Sequence, residues 1–155
     1  GCGRFLFPSN APLAKQLSER CAHLVGVDPD ETLDENPYCH ERAKVLIKQA
    51  EGALEMRDYD DAAALFEEAL QFRPFDPELN VRAARLQWQA VGNLRKAKEF
   101  AAAACEIEPD NAGYRRTLGQ IFKAAGFRSN AKRELEAALK LDPKDSEASA
   151  ELKSL

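Results

Sequence analysis

The residues best suited to binding a metal ion lie near the N-terminal end of the chain. Cys2 is followed by Cys21 and His23, and then by Cys39 and His40. Thiolate and imidazole groups are the ligands that zinc prefers in a tetrahedral site. However, the spacings match no known zinc knuckle, and Cys21 fits equally well on an apolar helix face. We therefore predict that the chain holds no metal.

Sequence motifs for catalysis are absent. The chain has two histidines and contains no Gly-rich phosphate loop, nucleophile elbow or HExxH sequence. Adjacent acids such as Glu67 and Glu68 point apart on a helix and cannot act as an acid–base pair. Because an enzyme needs polar groups that converge in a pocket, we predict a non-catalytic protein without a cofactor.

The composition predicts a soluble, folded protein. Of its 155 residues, 45% are hydrophobic and 31% are charged, and the formal net charge is −4. This mild acidity argues against nucleic acid and anionic membranes as partners, and no apolar run approaches the ~18 residues that a membrane span needs. Four cysteines without a CxxC pair fit a reduced thiol set, so we expect a cytoplasmic location. The chain starts without methionine, and we interpret it as a processed form or a piece of a longer protein.

Prolines divide the second half of the chain into repeats of nearly equal length. Pro74, Pro109 and Pro143 are separated by 35 and 34 residues. Alanine recurs five and twelve residues before each proline, at Ala69 and Ala62, Ala104 and Ala97, and Ala138 and Ala131. The residues seventeen positions before each proline are Arg57, Gly92 and Gly126. A fixed period of this length is typical of stacked helix pairs, in which methyl-sized side chains let two helices approach closely.

Helical periodicity predicts three hairpins followed by one short helix. The helix pairs are 38–56 with 60–73, 77–91 with 94–107, and 111–125 with 128–141. They belong to repeats with the bounds 37–76, 77–110 and 111–144. Residues 145–155, with Asp145 as N-cap, begin a further helix that covers the open end of the array.

The first 36 residues do not match the repeat. Asn10 and Pro12 predict a helix start, and Leu13, Leu17, Cys21 and Leu24 then share one face before an acidic linker. This divergent segment either extends the array at its N-terminal end or folds back against it and covers the groove described below. Deleting residues 1–36 distinguishes the two: extension predicts a lower melting temperature, and covering predicts stronger peptide binding.

The repeats resemble the tetratricopeptide repeat. The third repeat carries the resemblance best, through Leu118, Gly119, Phe122, Gly126, Ala131, Leu135, Ala138 and Pro143. The resemblance implies an all-α solenoid of three helix hairpins plus a C-terminal capping helix. Two residues depart from the family pattern: Arg57 replaces the usual turn glycine, and Arg85 stands where a small residue normally packs.

In this family the first helix of each repeat lines a concave groove that binds a partner. The positions that match are Lys44, Lys48, Arg82, Leu86, Gln89, Arg116, Gln120 and Lys123, with Ile47, Glu51, Leu54 and Leu79 beside them. Their basic groups predict a mildly positive trough that favours an acidic peptide or a C-terminal carboxylate. Some members clamp the carboxylates of chaperone tails. The residues at those clamp positions are Ile47, Glu51, Ala83, Gly113 and Thr117, which disfavour that ligand.

The resemblance implies a scaffold or adaptor whose partner is another protein or peptide. One alternative is a self-association module of a larger protein, with a homodimer formed through the helical end or the N-terminal segment. A second is a lipid-anchored assembly factor of an envelope machine, acylated on Cys2. The bulky apolar residues after Cys2 do not resemble the polar tether that such an anchor uses.

Overall fold

The computed structural model describes residues 37–155, and every regular element in that range is helical. Seven α-helices follow one another: α1 (Pro37–Glu55), α2 (Tyr59–Phe72), α3 (Pro77–Leu86), α4 (Leu94–Ile107), α5 (Ala112–Ala124), α6 (Arg128–Leu141) and α7 (Ser146–Lys153). A π-helical turn, Gln87–Val91, continues α3. The three predicted hairpins and the predicted C-terminal helix are confirmed. The predicted N-terminal helix and the Cys2 anchor lie outside the described residues.

The described residues belong to two compact units, and the division falls between Pro74 and Phe75. In the N-terminal unit, the described part is the hairpin of α1 and α2. Its interior contains Leu46 and Phe66, which are 1% exposed, together with the fully buried Ala50. Outside this apolar contact, Arg42 of α1 donates to Glu68 of α2 at 3.3 Å.

In the C-terminal unit, each helix packs against the next one along the chain, from α3 to α7. Two apolar clusters form its interior. The first contains Ala84, Ala97, Ala101, Cys105, Leu118 and Ile121, with Trp88 and Phe122 packed against it. The second contains Leu135, Ala138 and Ala148, with Leu139, Leu152 and Leu155 against it. The second cluster is therefore the apolar contact between α6 and α7.

Alanine occupies every predicted crossing point. All six alanines of the repeat frame have no exposed surface: Ala62, Ala69, Ala97, Ala104, Ala131 and Ala138. A larger side chain at such a position would have to displace the facing helix, because protein interiors are close-packed. The small-residue frame is thus explained by helix packing within each unit.

A buried ion-pair network ties α6 to the turn before α5. Glu134 is 5% exposed, and its Oε2 accepts from Arg115 Nη1 at 3.1 Å. Its Oε1 accepts from Arg133 at 2.9 and 3.0 Å, while Arg115 Nε donates to the Pro109 carbonyl at 2.9 Å. Close by, burial raises the pKa of the Cys105 thiol to about 11 despite the lowering influence of Arg115, so this thiol is protonated at neutral pH.

The hairpin turns use one backbone motif with two different residue types. The φ angles are 61° at Arg57, 79° at Gly92 and 80° at Gly126, all in the left-handed region. At the first turn, Asp58 N–H donates to the Ala53 carbonyl, and at the third turn Phe127 N–H donates to the Phe122 carbonyl. In addition, the backbone N–H groups of Arg57 and Gly126 each donate to the carbonyl three residues earlier. These are the bonds of a Schellman helix end. Arg57 therefore adopts the conformation of the turn glycine.

Exchanging the two residue types at these turns should change stability in opposite directions. A left-handed conformation costs an L-residue about 1–2 kcal/mol, whereas glycine loses about 0.5–1 kcal/mol of additional chain entropy on folding. Arg57→Gly should thus raise the free energy of unfolding by about 0.5 kcal/mol, and Gly126→Ala should lower it by about 1 kcal/mol. A Cβ at Gly126 would meet no atom within 4 Å, so only backbone conformation is tested. If urea unfolding shows that both substitutions change the free energy of unfolding in the same direction, this account is contradicted.

The π-helical turn accommodates one extra residue in the second repeat. Asp76 and Asn111 are equivalent N-caps, since each accepts from the backbone N–H three residues later. Gly92 follows its cap by 16 positions and Gly126 by 15 (92−76 and 126−111). Correspondingly, Asn93 N–H donates to the carbonyl of Gln87, six residues earlier, whereas the equivalent hydrogen bonds of the other two turns join residues five apart. The 35-residue spacing of Pro74 and Pro109 has its structural cause here.

This insertion corrects the interpretation of Arg85. Counted from the N-caps, Ala84 and not Arg85 is the equivalent of the buried Gly119, and Ala84 has no exposed surface. Arg85 is exposed, and its Nη2 donates to Thr117 Oγ1 at 3.3 Å. Arg85 is thus the equivalent of Gln120, a groove position. The sequence prediction misplaced it because the repeat was counted back from the proline, across the inserted residue.

Deleting Gln87 should regularise the second repeat at little cost. The deletion places Leu86 and Trp88 at the positions of Ile121 and Phe122, so the helix can run to Gly92 without a π turn. We expect the free energy of unfolding to stay within about 1 kcal/mol of the parent chain, whereas deleting the exposed Ala124 from the regular α5 should cost more than about 3 kcal/mol. Equal losses in urea unfolding of the two deletion variants would show that Gln87 is not an insertion.

No helix within residues 37–155 is long and apolar enough to cross a bilayer. Of the cysteines and histidines considered for zinc, Cys39 is fully buried and His40 is half-buried on α1. Among the described residues, no group of three or more His, Cys, Asp or Glu side chains is placed to hold a metal ion. Cys2, Cys21 and His23 lie outside the described range.

Candidate partner-binding face

The first helix of the N-terminal unit carries two of the predicted partner-binding residues. Lys44 and Lys48 are exposed on α1. Lys44 Nζ lies 2.8 Å from Glu41 Oε1, and this hydrogen bond together with the lysine charge lowers the pKa of Glu41. The apolar neighbours Ile47 and Leu54 are half-buried, so α1 offers a mainly polar surface.

In the second repeat, the predicted residues differ in how much surface they offer. Arg82 is half-buried and Gln89 is exposed, whereas Leu86 is only 9% exposed and packs into the interior. Arg85, which the sequence reasoning left out of the face, is exposed and lies three residues after Arg82. The signal that could have found it is the 35-residue repeat, which indicates an insertion before Gly92.

In the third repeat, all three predicted residues contact α7. Arg116 Nη1 lies 2.7 Å from Asp145 Oδ2, and its Nε lies 3.4 Å from Glu147 Oε2. Lys123 Nζ lies 2.5 Å from Glu151 Oε2 and also donates to Ser154 Oγ. The Gln120 amide donates to Glu151 Oε1 at 3.4 Å. The positive charge of α5 is therefore balanced by the acids of α7.

Asp145 has two roles at the start of α7. Its Oδ1 accepts from Ala148 N–H as the helix N-cap, and its Oδ2 binds Arg116. Burial raises the pKa of this carboxyl group, but the hydrogen bonds from Ala148 and Arg116 outweigh that effect, so the pKa lies below its usual value of 3.8. The ion pair thus depends on the ionised form, and the cap hydrogen bond is stronger in that form.

The Asp145 carboxylate should make the attachment of α7 sensitive to acid. Because the folded-state pKa is lowered, the stabilisation is complete above the unfolded-state value and disappears as the pH falls through the folded-state value. Asp145→Asn keeps a good N-cap but loses the ion pair, so we expect about 1 kcal/mol lower stability at pH 7. Urea unfolding should show that the free energy of unfolding falls less between pH 7 and pH 3 for this variant than for the parent chain. An unchanged loss would contradict the assignment.

The positions that correspond to a carboxylate clamp offer few donors in the C-terminal unit. Ala83 is 2% exposed and Thr117 is 1% exposed. The Thr117 hydroxyl donates to the Gly113 carbonyl at 2.9 Å and accepts from Arg85. Arg85 is exposed, and it forms no ion pair with a carboxylate among residues 37–155.

Comparison with known proteins supports the helical repeat. Residues 53–121 match the family model described as the tetratricopeptide repeat. No curated protein matches the chain at a significant level. Solved structures that resemble it are tetratricopeptide repeat domains, and their sequence identities of 16–21% establish likeness of fold.

Three of these structures illustrate the likeness. The first domain of Spaghetti (RPAP3), bound to the HSP90 peptide SRMEEVD, is 21% identical with a TM-score of 0.67, over 74% of this chain and 90% of that one. The Sgt2 domain from Aspergillus fumigatus is 21% identical with a TM-score of 0.64, over 77% of each chain. The second domain of human RPAP3, in complex with the HSP70 peptide SGPTIEEVD, is 17% identical with a TM-score of 0.68, over 75% and 96%.

Tetratricopeptide repeat domains are in general non-catalytic modules that mediate protein–protein interaction. The equivalent N-caps, the left-handed turns and the buried alanine frame recur from hairpin to hairpin, and the family model covers parts of all three. Residues 53–121 thus match the tetratricopeptide repeat, and the helical fold of the described residues is similar to that of solved tetratricopeptide repeat domains.

Proposed function

We propose that this chain is a scaffold or adaptor module that binds an acidic segment of another protein on the face formed by α3 and α5 of its C-terminal unit. One observation carries the proposal within the C-terminal unit. Arg85 is exposed, lies beside Arg82 and Gln89, and is oriented by the Thr117 hydroxyl without a carboxylate partner among the described residues. A guanidinium held in this way can form charge-assisted, bidentate bonds with a carboxylate.

The distribution of charge on this face restricts the kind of acidic ligand that it can bind. Arg116 and Lys123 already meet three acids of α7, and they add little net attraction for a further acidic group. The attraction is therefore centred on Arg82 and Arg85 of α3. A short acidic segment that contacts α3 fits this distribution better than a long acidic chain that covers the whole face.

The experiment is a selection of random 16-residue peptides on the immobilised full chain. We expect acidic sequences to be enriched, and we expect Arg82→Glu with Arg85→Glu to weaken the selected peptides by about tenfold or more. The matched control is Arg95→Glu with Lys132→Glu, the same charge change on exposed positions of α4 and α6. A selection without acidic enrichment, or equal binding by both double variants, would overturn the proposal.

A further inference from the structure

The C-terminal segment that contains α7 contacts one basic face of α5. Its contacts include every predicted partner-binding residue of that helix: Arg116, Gln120 and Lys123. Asp145, Glu147 and Glu151 supply three carboxylates to two cations. The chain therefore already places an acidic segment on its own basic site.

The apolar attachment of α7 is small. Ala148 is its one fully buried side chain, and Leu152 and Leu155 are half-buried against the cluster of Leu135 and Ala138. The helix has eight residues, which is below the about 12 residues that an isolated helix needs to be even marginally stable in water. It is helical because it is docked, and a large share of its contacts is ionic.

Ionic contacts of this kind can be exchanged for equivalent ones. Arg116, Lys123 and Glu147 are 23%, 31% and 67% exposed, so water and salt reach these three side chains, whereas Asp145 is 5% exposed. Solvent-exposed pairs contribute little to stability and weaken with salt. The helix can thus open locally while α3 to α6 stay folded.

We propose that the notch between α5 and α6 is a second binding site, specific for an acidic amphipathic helix, which α7 occupies until a partner helix of the same chemistry displaces it. The sequence pattern expected of the ligand helix follows from α7. An aspartate N-cap, the equivalent of Asp145, binds Arg116, and a glutamate six residues later binds Gln120 and Lys123. Leucines equivalent to Leu152 and Leu155 supply the apolar contact. This inference rests on the proposed function, since it adds a gated site to the same module.

The first test is hydrogen exchange on the full chain. The amides of residues 149–153 should exchange at least about tenfold faster than those of α5 and α6, because they open locally. Raising NaCl from about 0.05 to 0.5 M should accelerate them further and leave α5 unchanged. Exchange of α7 as slow as that of α5 would mean that the helix leaves only on global unfolding, and the proposal would fail.

The second test is binding in trans. The probe is a fluorescein-labelled peptide of residues 143–155, and the receptor is the full chain with Glu147→Gln and Glu151→Gln. This variant should bind the peptide at least about tenfold more tightly than the unchanged chain, whose tethered α7 competes at high effective concentration. Adding Arg116→Glu and Lys123→Glu should abolish binding. The control, Glu99→Gln with Glu106→Gln on α4, should behave as the unchanged chain.

The outcomes separate this inference from the proposed function. The second site is overturned if the labelled peptide does not bind the Glu147→Gln, Glu151→Gln variant. It is also overturned if binding persists after Arg116→Glu and Lys123→Glu. Neither result affects the peptide selection that tests Arg82 and Arg85. Peptide binding in trans combined with a failed selection overturns the proposed acidic ligand of α3 and leaves the second site intact.

Discussion

Replacing Arg115 by alanine is expected to lower the free energy of unfolding by about 3 kcal/mol. The substitution leaves Glu134, 5% exposed, with one partner, Arg133, which is itself largely in solvent. It also removes the donor to the Pro109 carbonyl. Glu134→Gln should cost less, about 2 kcal/mol, because the arginines that it leaves behind can still reach water: Arg115 is 27% exposed and Arg133 is 70% exposed.

The double variant Arg115→Met with Glu134→Leu provides the decisive comparison. A buried ion pair that is replaced by apolar side chains of similar volume is often neutral in stability, because the desolvation of both charges is avoided. The double variant should therefore be more stable than Arg115→Ala alone. Urea unfolding of Arg115→Met, Glu134→Leu and the double variant gives the coupling free energy of the pair. If the double variant is less stable than either single change, the network does not act as a pair.

The helices were predictable because their signals are local. Caps such as Asp76 and Asn111, the alanine frame and the left-handed turns each depend on residues close in sequence. Even Arg57 follows this rule, since its turn makes the bonds of the glycine turn at Gly126. The π turn was not predicted as such, because a single inserted residue changes the hydrogen-bond pattern without changing the apolar periodicity of its neighbours.

The site was less predictable because its charges are balanced by residues distant in sequence. Arg116 and Asp145 are 29 positions apart, and Lys123 and Glu151 are 28 apart. Groove positions identify which side chains lie on a face, but they do not show which of them already bind a carboxylate of the next helix. For that reason the positive charge predicted on α5 is balanced by the acids that follow α6, whereas no carboxylate among the described residues pairs with Arg85.

Gly119→Val is expected to lower the free energy of unfolding by about 3 kcal/mol. A Cβ at this position would lie 2.8 Å from Leu135 Cγ and 3.4 Å from the Ala131 carbonyl oxygen, so α5 and α6 cross where only hydrogen fits. Leu135 has no exposed surface and cannot turn away into solvent. The control is Gly52→Ala on α1, where a Cβ would meet no atom within 4 Å. There the better helix propensity of alanine should raise stability by about 0.5–1 kcal/mol.

The second repeat shows how the same crossing can be built with other side chains. Ala84 and Ala101 occupy the positions of Gly119 and Leu135, and both are fully buried. Gly119→Ala should therefore be destabilising in the parent chain, where Leu135 is in the way, and stabilising by about 0.5–1 kcal/mol when measured in a Leu135→Ala background. The sign change in this double-mutant cycle is the measurement that identifies the clash. A loss of the same size in both backgrounds would mean that glycine is needed at this crossing for a reason other than the leucine that faces it.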